Sequence, residues 1–152
     1  MTTGARAVAW TMDVTAATGL AKSAKLPILV NFTGSDWCHW CIHMDEHVFS
    51  KPAWKTFAAE NAVLLTIDFP SNKSGLPKGV AERNAALASQ FGVRGYPTFV
   101  VLDLDGKTEL DRLGASQDAS PAAFIKQYRT IAKFNSGSIA ALENEIPPTT
   151  GN

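Results

Sequence analysis

Cys38 and Cys41 are the only two cysteines of the chain, and they lie in the run Gly34-Ser35-Asp36-Trp37-Cys38-His39-Trp40-Cys41. Two thiols at this spacing have three chemistries open to them: cycling between dithiol and disulfide, clipping a metal ion, or standing as an inert crosslink. Redox exchange needs a thiolate that attacks and a second thiol close enough to resolve the mixed disulfide. A helix starting near Cys38 meets both needs, because its unsatisfied N–H groups favour a thiolate and Cys41 follows one turn later. The spacing makes an exposed Cys38 the nucleophile. Cys41 is then the resolving thiol, shielded on an apolar stripe with Trp37, Met44 and Val48. His39 adds positive charge or a donor when protonated, which favours the thiolate, or else is a solvated surface residue. Trp37 is expected to cover the sulfurs and face a substrate, and Trp40 either shares that role or only packs.

Cys38, Cys41, His43 and His47 are nominally four zinc ligands. The histidines at 39, 43 and 47 recur on a largely polar face, whereas Cys41 points inward, so the four do not converge. Neither metal nor cofactor is expected, and zinc retained through purification is the observation that favours the opposite. A crosslink closing so short a loop adds little stability, which argues against an inert disulfide.

The elements that must position the pair follow from periodicity. Ala7 to Trp10 reads as a short edge strand. A helix capped by Thr11 or Asp13 runs to about Ala24, ended by Lys25 and Pro27. Residues 28–33 form a continuous apolar run, the pattern of a strand buried on both faces, and Gly34-Ser35-Asp36 breaks it. After the site helix, Pro52 marks a kink or fresh start, with Ser50 as a cap, and helix resumes through Trp54 and Phe57. Ala62 to Asp68 is a second central strand, 69–79 a polar loop, and Val80 to Phe91 a helix closed by Gly92. Thr98 to Leu104 and Lys107 to Leu113 are strands around an Asp105-Gly106 turn. Ser120-Pro121 opens a last helix with Phe124, Ile125, Tyr128 and Ile131 inward. The order β-α-β-α-β-α-β-β-α gives one domain over 7–134, an extension at 1–6 and a flexible tail at 135–152.

At 152 residues, 45% apolar and 18% charged, the chain has the composition of one globular domain that needs no disulfide staples. Fourteen basic residues balance fourteen acidic ones, so neither nucleic acid nor an anionic membrane is expected as a partner. No apolar run approaches 18 residues, so no membrane span is expected. Residues 1–6 lack the apolar core of a signal peptide, which a mature chain has lost in any case.

With the pair so placed, the pattern resembles the thioredoxin superfamily. The carrying motifs are Leu29-Val30-Asn31-Phe32 leading into Trp37-Cys38-His39-Trp40-Cys41, and Val93-Arg94-Gly95-Tyr96-Pro97-Thr98 before Phe99-Val100-Val101-Leu102 and Asp105-Gly106. It is most similar to bacterial thioredoxin-like disulfide reductases with a W-C-x-W-C site. The resemblance implies an α/β thioredoxin fold, a central mixed sheet with helices on both faces. It also implies a cis Pro97 which, with Tyr96, lies beside the sulfurs and holds substrate as an added strand. Two family residues differ here: the buried aspartate behind the site is Asn31, and its lysine partner is Leu64. Asparagine cannot relay a proton, so water or Asp36 is left to serve Cys41.

The function expected is thiol–disulfide exchange, as a reductase of protein disulfides. Partners would be disulfide-bonded clients and an upstream electron-donor protein, with the chain itself a monomer. The resemblance places it in the periplasm or another extracytoplasmic space, with the cytoplasm as the alternative. The competing function is a metal-binding or client-binding module whose redox activity is incidental; client binding retained without both cysteines would favour it.

Overall fold

The computed structural model describes residues 9–138. The extension expected at 1–6 and the tail from 139 onward lie outside the described residues.

Four strands form one mixed sheet in the order β2-β1-β3-β4, where β1 is Ile28–Thr33, β2 Val63–Asp68, β3 Thr98–Leu102 and β4 Glu109–Leu113. β1 pairs parallel with β2 and antiparallel with β3, so it is central and takes hydrogen bonds on both edges. That explains its unbroken apolar run. Helices α1 (Val14–Ala24), α2 (His39–Met44), α3 (Pro52–Asn61), α4 (Val80–Gln90) and α5 (Pro121–Ala132) cover the two faces. Alternation along β1 divides the core. Leu29 packs with Met44, Val48, Trp54, Phe99, Phe124 and Tyr128 on the α2/α3/α5 side. Ile28, Val30 and Phe32 pack with Ala17, Ala21 and Ala88 on the α1/α4 side. By the same alternation Asn31 points to the Leu29 side, under α2. The thioredoxin-like architecture read from the sequence is the one observed.

Several local expectations give way to the structure. The edge strand before α1 is reduced to isolated bridge residues at Ala9 and Thr11, Thr11 pairing parallel with Leu65, and residues 7–8 lie outside the described residues. Asp13 alone caps α1, its side chain accepting from the Ala16 N–H. Ser50 caps nothing downstream: its hydroxyl donates to Glu46 O, and α3 starts from Lys51 with Pro52 in its first turn. Between α2 and α3 the chain winds as a π-helical segment, Asp45–Phe49, which no apolar spacing announces. The returning strand is shorter than expected because Asp105 accepts from Lys107 N, Thr108 N and Thr108 Oγ1, which extends the turn. At the other end, Ser136 N and Oγ donate to Asp103 Oδ1, tying residues after α5 back to the end of β3. Among the described residues no helix is long and apolar enough to cross a membrane.

Candidate active site

Cys38 sits at the N-cap of α2, in extended backbone, and is joined to Cys41 by a disulfide with Cα atoms 5.2 Å apart. The Cys41 N–H donates to Cys38 Sγ at 3.2 Å. The Gly34 N–H lies 3.5 Å from Cys41 Sγ. Each sulfur therefore faces one backbone donor, and a thiolate at either position keeps it. An open Cys38 and a shielded Cys41 are not what the oxidised structure contains: both are buried, at 5% and 7% exposure. Helix start and core stripe cover the two sulfurs equally once they are bonded.

Trp37 also departs from expectation. It is not part of the buried stripe of Cys41, Met44 and Val48, because α2 begins only at His39. Half exposed, it lies across the preceding loop, donating from Nε1 to Phe69 O at 2.7 Å and meeting Tyr96 edge-on at 5.8 Å. Gly34 permits this: a Cβ there would overlap the Trp37 indole. Two reciprocal clasps hold the same loop. Ser35 donates from N and Oγ to Asp68 at 3.0 and 2.6 Å, and Asp36 accepts from Ser71 N and Oγ at 2.9 and 3.0 Å. The Ser71 amide is the main cause holding the Asp36 carboxyl below the usual carboxylate range. Asp36 is thereby committed to the 69–79 loop and not to Cys41, which removes it as the residue serving that thiol.

The Tyr96–Pro97 peptide is cis, as the family resemblance implies. Tyr96 and Pro97 line an open cleft of about 340 Å³ with Trp40, Ala115 and Gln117. The structure thus brings Trp40, Tyr96 and Pro97 together in one cleft, with Trp37 against Tyr96. Ala115 and Gln117 went unread, since nothing in their local sequence marks them. Burial pushes the Tyr96 hydroxyl above its usual titration range, so it is a neutral donor. Exposed His39 meets Trp40 edge-on at 5.2 Å. His43 and His47 stack at 4.2 Å, with His43 Nε2 on Ser116 O and His47 Nδ1 on His43 O. Among the described residues no three His, Cys, Asp or Glu side chains converge as a metal set.

Beneath the disulfide a second cavity of about 230 Å³ is lined by Trp10, Asn31, Thr33, Ser35, Cys41, Ile42, Asp45 and Thr66. Buried Asn31 Oδ1 has no hydrogen-bond partner in it. Asp45 stands at the mouth, exposed as a residue, yet burial of its carboxyl raises its titration, with the neighbouring Glu46 charge adding to the rise. The sequence reading missed Asp45. Its spacing of four from Cys41 was the available signal, since i and i+4 share a helix face.

Residues 9–103 match the thioredoxin-like family. The disulfide bond reductase DsbH of Chlamydia pneumoniae is 34% identical over 114 residues, covering 75% of this chain and 67% of that protein. A solved structure of a DsbH oxidoreductase superposes with a TM-score of 0.75 at 30% identity, covering 88% of this chain and 89% of the other. A thioredoxin from Thermus thermophilus superposes with a TM-score of 0.61 at 22% identity, covering 94% and 98%; at that identity the likeness concerns the fold.

Proposed function

The chain belongs to the thioredoxin-like family and is a thiol–disulfide oxidoreductase; from that premise we propose that it runs in the reducing direction, on protein disulfides. In this reading Cys38 is the nucleophile and Cys41 the resolving thiol. The observation that carries it is the N-cap placement of Cys38, whose sulfur accepts the Cys41 N–H. The same donor stabilises a Cys38 thiolate once the disulfide is opened. Cys41, one turn on, lines the cavity beneath the disulfide, with the Gly34 N–H beside its sulfur.

Tyr96, Pro97 and Trp40 would hold an extended client segment against the disulfide, with Trp37 bounding the groove and His39 tuning the thiolate. The cleft they line is open and wide enough for an extended segment, which supports a protein substrate. Clients would be disulfide-bonded proteins, and an upstream protein dithiol would restore the reduced state. An extracytoplasmic compartment fits, because persistent client disulfides are found there.

Direction is decided by the reduction potential. A donor on the Cys38 thiolate pulls toward an oxidant, whereas the likeness to a named reductase pulls the other way. A measured value near that of thioredoxin, about −270 mV, supports the reductase, and one near about −120 mV overturns it. Separately, Cys41→Ser should accumulate clients as mixed disulfides on Cys38; trapping by Cys38→Ser instead would reverse the two roles.

A further inference from the structure

We propose that Asp45 is the proton relay of Cys41, working across the cavity that Asn31 backs. The inference rests on the reductase reading, in which Cys41 must lose a proton before it can resolve a mixed disulfide. Asn31, which lines the same cavity as Cys41 from strand β1, cannot take up a proton. Asp36, an acid two residues before Cys38, is bound by Ser71.

Asp45 is placed for the task. Its backbone N–H bonds to Cys41 O and Ile42 O, so it stands one turn after Cys41 on the same side, and both line one cavity. Among the described residues the other lining groups are Trp10, Asn31, Thr33, Ser35, Ile42 and Thr66, and none of these is charged. A polar cavity of about 230 Å³ admits water, and the unpaired Asn31 Oδ1 gives such water an acceptor beside Cys41. Being at the mouth, Asp45 can exchange the proton with solvent afterwards.

The charges around Asp45 point the same way. Glu46 is its one charged neighbour of consequence, and it raises the Asp45 titration further. Asp68, two residues after Thr66 on β2, is engaged by Ser35. α3 and α5 bury Trp54, Phe57, Phe124 and Tyr128, the Tyr128 hydroxyl donating to Asn61 O. His43 and His47 lie round the helix, engaged with Ser116 O and His43 O. A carboxyl desolvated in this way, with no lysine or arginine among the described residues lining the cavity, is a stronger base than a free one.

The step balances. The Cys38 thiolate attacks one client sulfur, the client S–S bond breaks, and the departing client thiolate takes a proton from water. Cys41 then gives its Sγ proton to the Asp45 carboxylate, and its thiolate attacks Cys38 Sγ. The Cys38–Cys41 bond forms, and the second client sulfur leaves as a thiolate that takes up the proton held by Asp45. Two electrons pass from the enzyme dithiol to the client.

The test is single-turnover reduction of insulin by the pre-reduced full chain, with the Cys38 mixed disulfide followed by acid quench and mass spectrometry. In Asp45→Asn the mixed disulfide should decay at least about tenfold more slowly at pH 7, a modest share of what acid–base catalysis contributes. The gap should close by about pH 10, where the Cys41 thiol ionises unaided. Asp45→Glu should recover most of the rate, and so should Asn31→Asp added to Asp45→Asn, which moves the carboxylate to the opposite wall. Decay of Asp45→Asn as fast as wild type at pH 7, or a slowing equal at pH 7 and pH 10, overturns the relay.

If the wild type forms no Cys38 mixed disulfide, the reductase reading falls, and titration of reduced Cys41 by 13C NMR still judges the relay. Removing the nearby negative charge in Asp45→Asn should lower the Cys41 midpoint, and an unmoved midpoint overturns the proposal.

Discussion

The two walls flanking the disulfide are built on opposite terms. On one side, residues 34–37 are clasped to 68–71 by Ser35–Asp68, Asp36–Ser71 and Trp37–Phe69 hydrogen bonds, and Asn84 Nδ2 holds Asp68 O from behind at 2.9 Å. The polar side chains that make this wall all have partners. On the other side, Asn31 Oδ1 is buried with no partner and Asp45 is desolvated beside a like charge. Satisfied groups resist movement, because breaking any one of them exposes an unpaired donor or acceptor. An unpaired acceptor such as Asn31 Oδ1 stays free to take a water, and a carboxyl raised as Asp45 is takes a proton more readily. We read the difference as one between a wall that holds its loop and a wall left open to proton chemistry, with Ser35 common to both.

Cys38→Ser removes what both walls serve and should abolish insulin reduction altogether; turnover that survives it would show the walls flank something other than the reacting sulfur. Gly34→Ala attacks the clasped wall at its tightest point. The new Cβ should turn Trp37 outward, shift its fluorescence to the red and cost about 1–3 kcal/mol in denaturant unfolding. An unchanged emission spectrum would mean the wall yields elsewhere.

Ser35→Ala deletes one donor to Asp68 and should cost about 1 kcal/mol, with faster amide exchange at Phe69 and Ser71. Asn31→Val should behave oppositely, leaving stability unchanged or raising it by up to about 1 kcal/mol, since it removes a buried acceptor with no donor. A clear loss of stability would show Asn31 belongs with the holding wall. The smallest effect is set by pH. Asp36 has a depressed pKa in the folded chain, so its clasp contributes stability above the ordinary carboxylate range and loses it as pH falls through the folded value. The protection of the Ser71 amide, relative to its intrinsic exchange rate at each pH, should therefore fall in acid, and more so than protection in the core strands.

Much of the holding wall's purpose was hidden in the sequence, although the residues were in plain view. Ser35 and Asp68 are 33 positions apart, and Asp36 and Ser71 are 35 apart. Each looks like an ordinary loop or strand-end polar residue until β1 and β2 run parallel and bring their C-terminal ends side by side. The 69–79 loop read as an unexplained polar insert for the same reason. Asp45 was passed over because the π-helical segment begins there, where a helical stripe and a polar face give no reason to single out one carboxylate. The apolar strands β1, β2 and β3 were easier, since a strand buried on both faces writes its position as an unbroken run of side chains.

The family resemblance supplied the Tyr96-Pro97 turn and the mixed sheet; what the sequence determined unaided was the chemistry and its setting: two thiols separated by two residues, an N-terminal helix position for Cys38, and the β/α order of the domain. These are local or periodic properties, and local physics reads them directly. The tertiary structure alone decided that the bonded sulfurs are equally buried, that Trp37 leaves its stripe to close over Phe69, that Asp36 is committed to Ser71, and that Asn31 and Asp45 share a cavity with Cys41. Each of those depends on which distant segments meet. Spacing along the chain cannot specify a meeting between groups whose separation in sequence is large and whose separation in space is one hydrogen bond.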